Sequence, residues 1–282
     1  MRPWNYLTAT GVWLLLALCS VVLLSAPSFA AKNSSFSISL GFDFASGDYG
    51  TAQTTDSYSI PLTIGYYPSA RLDFSLEIPY LYQSDSSTVL LGGTRFPMQG
   101  TGGGPGSSMG GMGGSTTSVT SSQSGIGDIN LTAGFQVVAE TPTSPMLRPL
   151  VYLKAPTADK EKGLGTGAFD FGGGLSAGKI IGNWSIYGEA LYIIPGSTSA
   201  YKPDNYLTYQ GSLRYQLSQN LNIGSAISGG TPAFTEASDT LEIQLTSRYR
   251  VSENGSIGIY LGKGLTDSSP DYTTGFYGSI SF

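Results

Sequence analysis

Leu72-Asp73-Phe74-Ser75-Leu76-Glu77-Ile78-Pro79-Tyr80-Leu81-Tyr82 decides the fold. Leu72, Phe74, Leu76, Ile78, Tyr80 and Tyr82 share one face, while Asp73, Ser75 and Glu77 lie on the other. Successive side chains of a strand point to opposite sides, so this stretch reads as a β-strand with one apolar and one polar face. Two later stretches repeat the pattern. Tyr209, Leu213, Tyr215 and Leu217 oppose Gln210, Ser212, Arg214 and Gln216. Leu241, Ile243, Leu245 and Tyr249 oppose Glu242, Gln244, Thr246 and Arg248.

Working outward, the same period marks twelve segments: 35–45, 56–67, 71–83, 127–138, 148–156, 168–181, 184–194, 204–217, 221–229, 240–251, 256–263 and 272–282. Each is about nine to fourteen residues, the length of a tilted strand crossing a bilayer. The connections alternate. Pro68-Ser69-Ala70, Gly182-Asn183, Ser218-Gln219-Asn220 and Ser252-Glu253-Asn254-Gly255 are tight, and only 139–147, with Pro142 and Pro145, is longer on that side. The other connections, 46–55, 84–126, 157–167, 195–203, 230–239 and 264–271, are long and rich in Gly, Pro, Ser, Thr and Asp. Short turns on one side and long loops on the other characterise outer-membrane barrels.

A soluble β-sandwich also alternates. Its solvent face would carry Lys and Glu in number, whereas here the polar face is mainly Ser, Thr, Gly, Gln and Asn. Aromatic residues stand at strand ends (Tyr66, Tyr80, Tyr82, Tyr192, Tyr249, Tyr272), as interfacial girdles require. The reading is therefore all-β: a closed antiparallel transmembrane β-barrel of about twelve strands over residues 31–282, with 84–126 as a long Gly/Ser-rich outer loop. Lipid offers no hydrogen-bond partner, so every backbone group must pair and only a closed sheet leaves no edge. A strand spacing near 4.8 Å and a tilt near 40° give a backbone radius of about 12 Å and a lumen of about 10 Å if nothing fills it.

Composition agrees. The 282 residues include 14 Lys+Arg, 19 Asp+Glu, 39 Gly, 18 Tyr, 12 Phe, one Cys and no His, with a formal net charge of −5. Charged residues make up 12% of the chain, about half the share of an ordinary soluble domain. Disordered chains are charge-rich and aromatic-poor, and nucleic-acid binders need a basic surplus, so neither class fits. Without histidine there is no Ser-His-Asp or Cys-His nucleophile and no imidazole metal site.

Residues 1–30 read as a signal peptide: Arg2, an apolar run from Val12 to Leu24, and Ser28-Phe29-Ala30 as a small-x-small site cut after Ala30. Cleavage removes Cys19, the only cysteine. The expected location is the bacterial outer membrane. The expected partners are its lipid and lipopolysaccharide, the barrel-assembly machinery and a small-molecule solute, with no nucleic acid. Phe282 closes the last alternating strand with Phe276, Gly278 and Ile280 on its face, and a terminal Phe in that place resembles a barrel-assembly signal.

Apparent catalytic motifs dissolve on inspection. Gly106-Ser107-Ser108-Met109-Gly110 spells G-x-S-x-G but lacks the helix and His of a nucleophile elbow. Gly163-Leu164-Gly165-Thr166-Gly167-Ala168 spells a dinucleotide fingerprint but leads into a strand, so a loop-packing role fits better. Met98, Met109 and Met112 are too scattered to imply Cu(I). Asp267 with Asp271, and Glu236, Asp239 and Glu242, read as solvated loop acids rather than a Ca²⁺ site. No catalytic residue, metal or cofactor is expected. Parity places Asp73, Glu77, Glu189, Arg214, Glu242, Arg248 and Arg250 on the lumen side, where they either pair and brace the barrel or line a pore and set ion preference.

Three blocks carry a family resemblance: Gly125-Ile126-Gly127-Asp128-Ile129-Asn130-Leu131; Lys154-Ala155-Pro156-Thr157-Ala158-Asp159 with Lys162 to Gly167 and Asp170; and Tyr249 to Asn254 running on through Gly262 to Asp271. Over 36–282 the chain resembles the outer-membrane proteins labelled "putative MetA-pathway of phenol degradation". The resemblance implies a transporter barrel that passes small, often aromatic, molecules, and it supplies no catalytic or binding residues. The insertion at 92–124 departs from the usual pattern. The leading expectation is a channel for passive passage of small solutes. The alternative is a non-conducting structural or adhesive barrel, blocked by the Gly/Ser loop or by the lumen charges.

Overall fold

The computed structural model describes residues 35–49, 54–84, 88–91, 94–97, 122–199, 202–234 and 237–282. The signal peptide with its cleavage site, most of the 84–126 loop, Met98, Met109, Met112 and Glu236 lie outside the described residues.

The strands are β1 (Ser35–Gly47), β2 (Thr55–Tyr67), β3 (Leu72–Gln83), β4 (Thr88–Leu91), β5 (Thr94–Pro97), β6 (Gln123–Ile126), β7 (Ile129–Phe135), β8 (Met146–Ala155), β9 (Asp170–Ile181), β10 (Trp184–Ile194), β11 (Tyr206–Gln216), β12 (Leu221–Gly230), β13 (Thr240–Arg250), β14 (Gly255–Gly264) and β15 (Tyr272–Ser281). β4 and β5 pair only with each other. The rest form one antiparallel sheet in which each strand pairs with its chain neighbours, and β1 pairs with β15 from Ser37↔Ser281 to Ser46↔Tyr272. β6 and β7 occupy one position, both against β3. The result is a closed twelve-strand barrel. Among the described residues its single short helical piece is a 3₁₀ turn, Lys160–Lys162.

The alternation explains why the sheet closes. Large apolar side chains stand fully outward: Leu245 is 68% exposed, Leu261 64%, Val151 61% and Ile259 60%. A belt of this kind would aggregate in water and is the expected surface against lipid. Aromatic contacts run across neighbouring strands, Phe36 on Tyr66 (4.7 Å) at one rim and Phe44 on Tyr58 (5.1 Å) toward the other. Tyr66, Tyr80, Tyr192, Tyr249 and Tyr272 are all exposed on this outer face.

Tight turns follow local chemistry. Gly182 adopts φ 59°, the left-handed value that its two-residue hairpin with Asn183 needs. Ser69 Oγ accepts from the backbone N–H of Leu72, and Ser218 Oγ from that of Leu221. In the longer 136–145 connection, Lys179 Nζ donates to Glu140 Oε1 (3.0 Å) and to the Pro142 carbonyl (3.1 Å). That hydrogen bond holds the Glu140 carboxyl below the usual range.

The wall departs from the sequence reading at one place. The strand expected over 127–138 begins earlier and is interrupted at Gly127-Asp128. Opposite the interruption lies Pro79, which has no N–H to give and which itself faces Pro61 across β2–β3. Gly127 N–H still reaches the Pro79 carbonyl (2.8 Å). The groups freed on the other side are met by Thr157, whose hydroxyl donates to Gly127 O (2.8 Å) and accepts from Ile129 N–H (3.0 Å). The strand ends at Phe135, and Val138 keeps one isolated bridge to Leu147.

Candidate functional site

The fold builds its lumen largely from polar side chains, and the lumen has two ends of different character. Toward the long-loop end, a chamber of about 530 Å³ is lined by residues from most of the strands. Toward the short-turn end lie two recesses of about 390 Å³ each, which share Arg214, Asn222 and Arg248. Gln210 lines both the chamber and the upper recess.

The acids of the chamber are Asp43, Glu77, Asp128, Glu189 and Glu242. Four are held by neutral donors. Tyr260 OH donates to Asp43 Oδ1 (2.7 Å), Asn130 Nδ2 to Glu77 Oε1 (3.3 Å), and Gln210 Nε2 to Glu189 Oε1 (3.1 Å), which Tyr187 OH also reaches on its second oxygen. Gln244 Nε2 donates to Glu242 Oε1 (2.8 Å), as does the Thr273 hydroxyl. Asn130 is oriented in turn by Tyr152 OH (2.7 Å). These donors fix the carboxylates without neutralising their charge. Glu77 and Glu189, which the sequence could not bring together, share this chamber.

Long polar side chains need room to lie flat on a barrel's inner wall, and glycine supplies it. A Cβ on Gly275 would sit 2.5 Å from both Asp43 Oδ1 and Tyr260 Cε1. A Cβ on Gly134 would collide with the Arg148 guanidinium. Arg148, on β8, crosses Gly134 on β7 to pair with Asp73 on β3, with Nε 2.7 Å from Oδ1 and the second nitrogen on Oδ2. Asp73 is thus a bracing residue, held by the bidentate pairing that suits a fixed ion pair.

The seven charges chosen from parity therefore separate into three groups. Asp73 is paired. Glu77, Glu189 and Glu242 line the chamber. Arg214, Arg248 and Arg250 line the short-turn recess with Ser185, Ser279 and Ser281. Arg248 Nε donates to Ser256 Oγ (3.0 Å), which shares a hydrogen bond with Ser279 Oγ (2.8 Å).

A buried ionic network is one feature that sequence reasoning missed. Lys154, 1% exposed, places Nζ 3.1 Å from Asp128 Oδ2, 2.9 Å from Asp170 Oδ2 and 3.0 Å from Thr166 Oγ1. Asp128 also accepts from Ala158 N–H (3.0 Å), and Asp170 from Gly196 N–H (3.0 Å). This network draws the 156–169 loop onto the barrel. Leu164 and Thr166 are buried, Gln83 Nε2 reaches the Lys162 carbonyl (3.3 Å), and Gly163 and Gly167 take φ 69° and 75° to make the bends. The signal for Lys154 was available. It shares parity with Arg148, and Lys154, Asp128 and Asp170 all lie in the blocks that carry the family resemblance. Asp43 was likewise legible from its alternation with Ser37 and Ser39.

The lumen is not wholly polar. Ile193, Tyr206 and Ala233 form a small buried cluster, with Tyr152, Leu191 and Phe234 against it, where residues 231–234 fold back onto β11. Both this cluster and the docked 156–169 loop take space from the open lumen of about 10 Å expected for an empty barrel. Among the described residues no group of three or more acids, Cys or His is arranged to hold a metal.

A closed antiparallel barrel with an apolar belt outside and a charged, hydrogen-bonded lumen is the architecture of outer-membrane β-barrels. Comparison places it there. The COG4313 outer-membrane channel from Pseudomonas putida F1 superposes with a TM-score of 0.64 at 14% identity, over 92% of this chain and 100% of that one. The KdgM porin aligns at 0.53 and 10%, over 87% and 99%, and the NanC porin at 0.53 and 9%, over 87% and 98%. At these identities the likeness is one of fold. Comparison with curated proteins finds no match. The chain belongs to the family described as "Putative MetA-pathway of phenol degradation", which matches residues 87–282.

Proposed function

We propose that this protein is an outer-membrane channel for the passive passage of small solutes. The observation that carries the reading is the series of cavities, from the acidic chamber to the arginine-lined recess, inside a closed barrel. Nothing in this reading requires a bond to be made or broken, and the barrel acts as a conduit rather than a catalyst. The mixed lining of the chamber, with Leu81, Leu191 and Pro79 beside hydrogen-bonded acids, suits small molecules with an apolar body and a polar handle, such as phenols. The family label and the fold neighbours, which include channels and porins, support the same reading.

Export through a signal peptide cut after Ala30, contact with lipid and lipopolysaccharide, and delivery by the assembly machinery through the terminal strand belong to the same proposal. Phe282 N–H donates to the Phe36 carbonyl (2.8 Å), so the last residue sits at the β1–β15 seam that closes the barrel.

The test is single-channel conductance of refolded, heat-modifiable protein in planar bilayers, with and without phenol. Steady openings that phenol interrupts are expected. A silent bilayer from folded protein would overturn the channel reading. The alternative, a non-conducting structural barrel, has one observation in its favour: the inward-docked 156–169 loop. It predicts silence from the intact chain and openings only once that loop is shortened.

A further inference from the structure

The charges along the lumen are sorted by sign. Among the described residues, Asp43, Glu77, Glu189 and Glu242 form no ion pair, and the only cation lining their chamber, Lys154, is already bound by Asp128 and Asp170. The recess at the short-turn end has the opposite balance, with Arg214, Arg248 and Arg250 against Glu253. Among the described residues none of these three arginines forms an ion pair. The two zones sit on the same strands. Glu242 and Arg248 are six residues apart on β13, about 20 Å along the strand and about 15 Å along the axis of a barrel tilted near 40°.

That separation decides whether the fields cancel. The screening length is about 8 Å at physiological salt and about 3 Å at 1 M. Glu189 pairs with Gln210, four residues from Arg214, so the oppositely charged zones lie about 10–15 Å apart along the axis and keep largely separate ion atmospheres, cations in the acidic chamber and anions among the arginines. Asp73 and Arg148 lie on the same inner wall as a closed pair, and they add no net charge to either zone.

We propose that the lumen is a bipolar ion path whose current rectifies. This rests on the channel reading above. With the outer compartment positive, cations are driven inward from the chamber and anions outward from the arginine zone. Both meet between the zones, ions accumulate there, and conductance is high. With the potential reversed, both are drawn away, the junction is depleted, and conductance falls. The same pattern sets a solute preference. A small anion arriving from outside meets the acidic chamber first, so neutral or cationic molecules enter more readily than carboxylates of equal size.

The experiment records current–voltage curves of single channels in 0.1 M and 1 M KCl. Orientation is read by biotinylating Gln219→Cys, in the turn between β11 and β12, and adding streptavidin to one side. Cys19 precedes the mature chain, so the label is unique. The expected result is a current ratio of about two-fold or more at ±100 mV in 0.1 M KCl, larger with the outer side positive and fading in 1 M as screening shortens. Arg214→Gln/Arg248→Gln and, separately, Glu189→Gln/Glu242→Gln each reduce the ratio toward one, with the first variant more cation-selective and the second more anion-selective. Two sets from opposite ends guard against one failing to fold. A conducting channel that is ohmic in 0.1 M KCl, or whose rectification neither set alters, refutes the bipolar path and leaves the channel standing. A silent channel refutes both.

Discussion

Replacing Lys154 by methionine keeps the length and apolar stem of the side chain and removes only the charge. In the native barrel that ammonium serves Asp128, Asp170 and Thr166 at 2.9–3.1 Å, in a site where Lys154 is 1% exposed. Deleting one partner of a buried ionic network costs about 3–5 kcal/mol, because the remaining charges stay desolvated and unpaired. The wall cannot relieve that cost, since β7, β8 and β9 are paired on both sides along most of their length. The 156–169 loop can, because lifting it lets water reach both carboxylates. At about 1.4 kcal/mol per tenfold, the penalty corresponds to a shift of about 10²–10⁴ in the docking equilibrium. Trypsin reads this directly, because the loop carries Lys160 and Lys162 in its 3₁₀ turn. Folded native barrel should resist cleavage there, and Lys154→Met should be cut after Lys160 or Lys162 while remaining heat-modifiable. Lys154→Met/Asp128→Asn/Asp170→Asn, which has no buried charge, should recover most of the resistance. Equal cleavage of the native protein and of folded Lys154→Met would show that the network does not hold the loop.

Three further outcomes are expected. Gly134→Val forces the Arg148 guanidinium off the wall and breaks its pairing with Asp73; the site is partly solvated, so the loss should be about 1–3 kcal/mol, read by urea unfolding from lipid vesicles. Leu245→Arg and Thr246→Arg, one residue apart on β13, should differ in kind: the first puts a charge into lipid at a cost of about 2–4 kcal/mol, while the second faces the lumen and should fold with near-native stability in the same titration. Deleting Phe282 should lower the yield of heat-modifiable barrel in cell envelopes far more than it lowers stability of the refolded protein, and equal losses in the two would argue against an assembly role.

Much of this molecule can be read from its sequence because a barrel strand is a local object. Period two depends only on which way each side chain points, so Leu72 to Tyr82 betrays a lipid face and a lumen face without any knowledge of its neighbours. Chain-adjacent strands also pair, which leaves topology little freedom once the turns are seen. Parity therefore set Glu77, Glu189, Glu242 and the three arginines on the polar side. Who meets whom is different, because partners come from strands and loops distant in the chain. Asp73 needs Arg148, 75 positions away, and the space that Gly134 leaves. Asp43 needs Tyr260, 217 positions away, joined only when β1 closes on β15. The Gly163-to-Gly167 loop reads as a packing loop, yet only the fold shows what it packs on: Lys154, Asp128 and Asp170 turn it inward and bury Leu164. Alternation alone determined the barrel and the sign of its two faces. Only closure of the sheet decided which charges cancel, which stay open along the axis, and how much of the lumen its own loops fill, because those depend on distances across the barrel that no local pattern encodes.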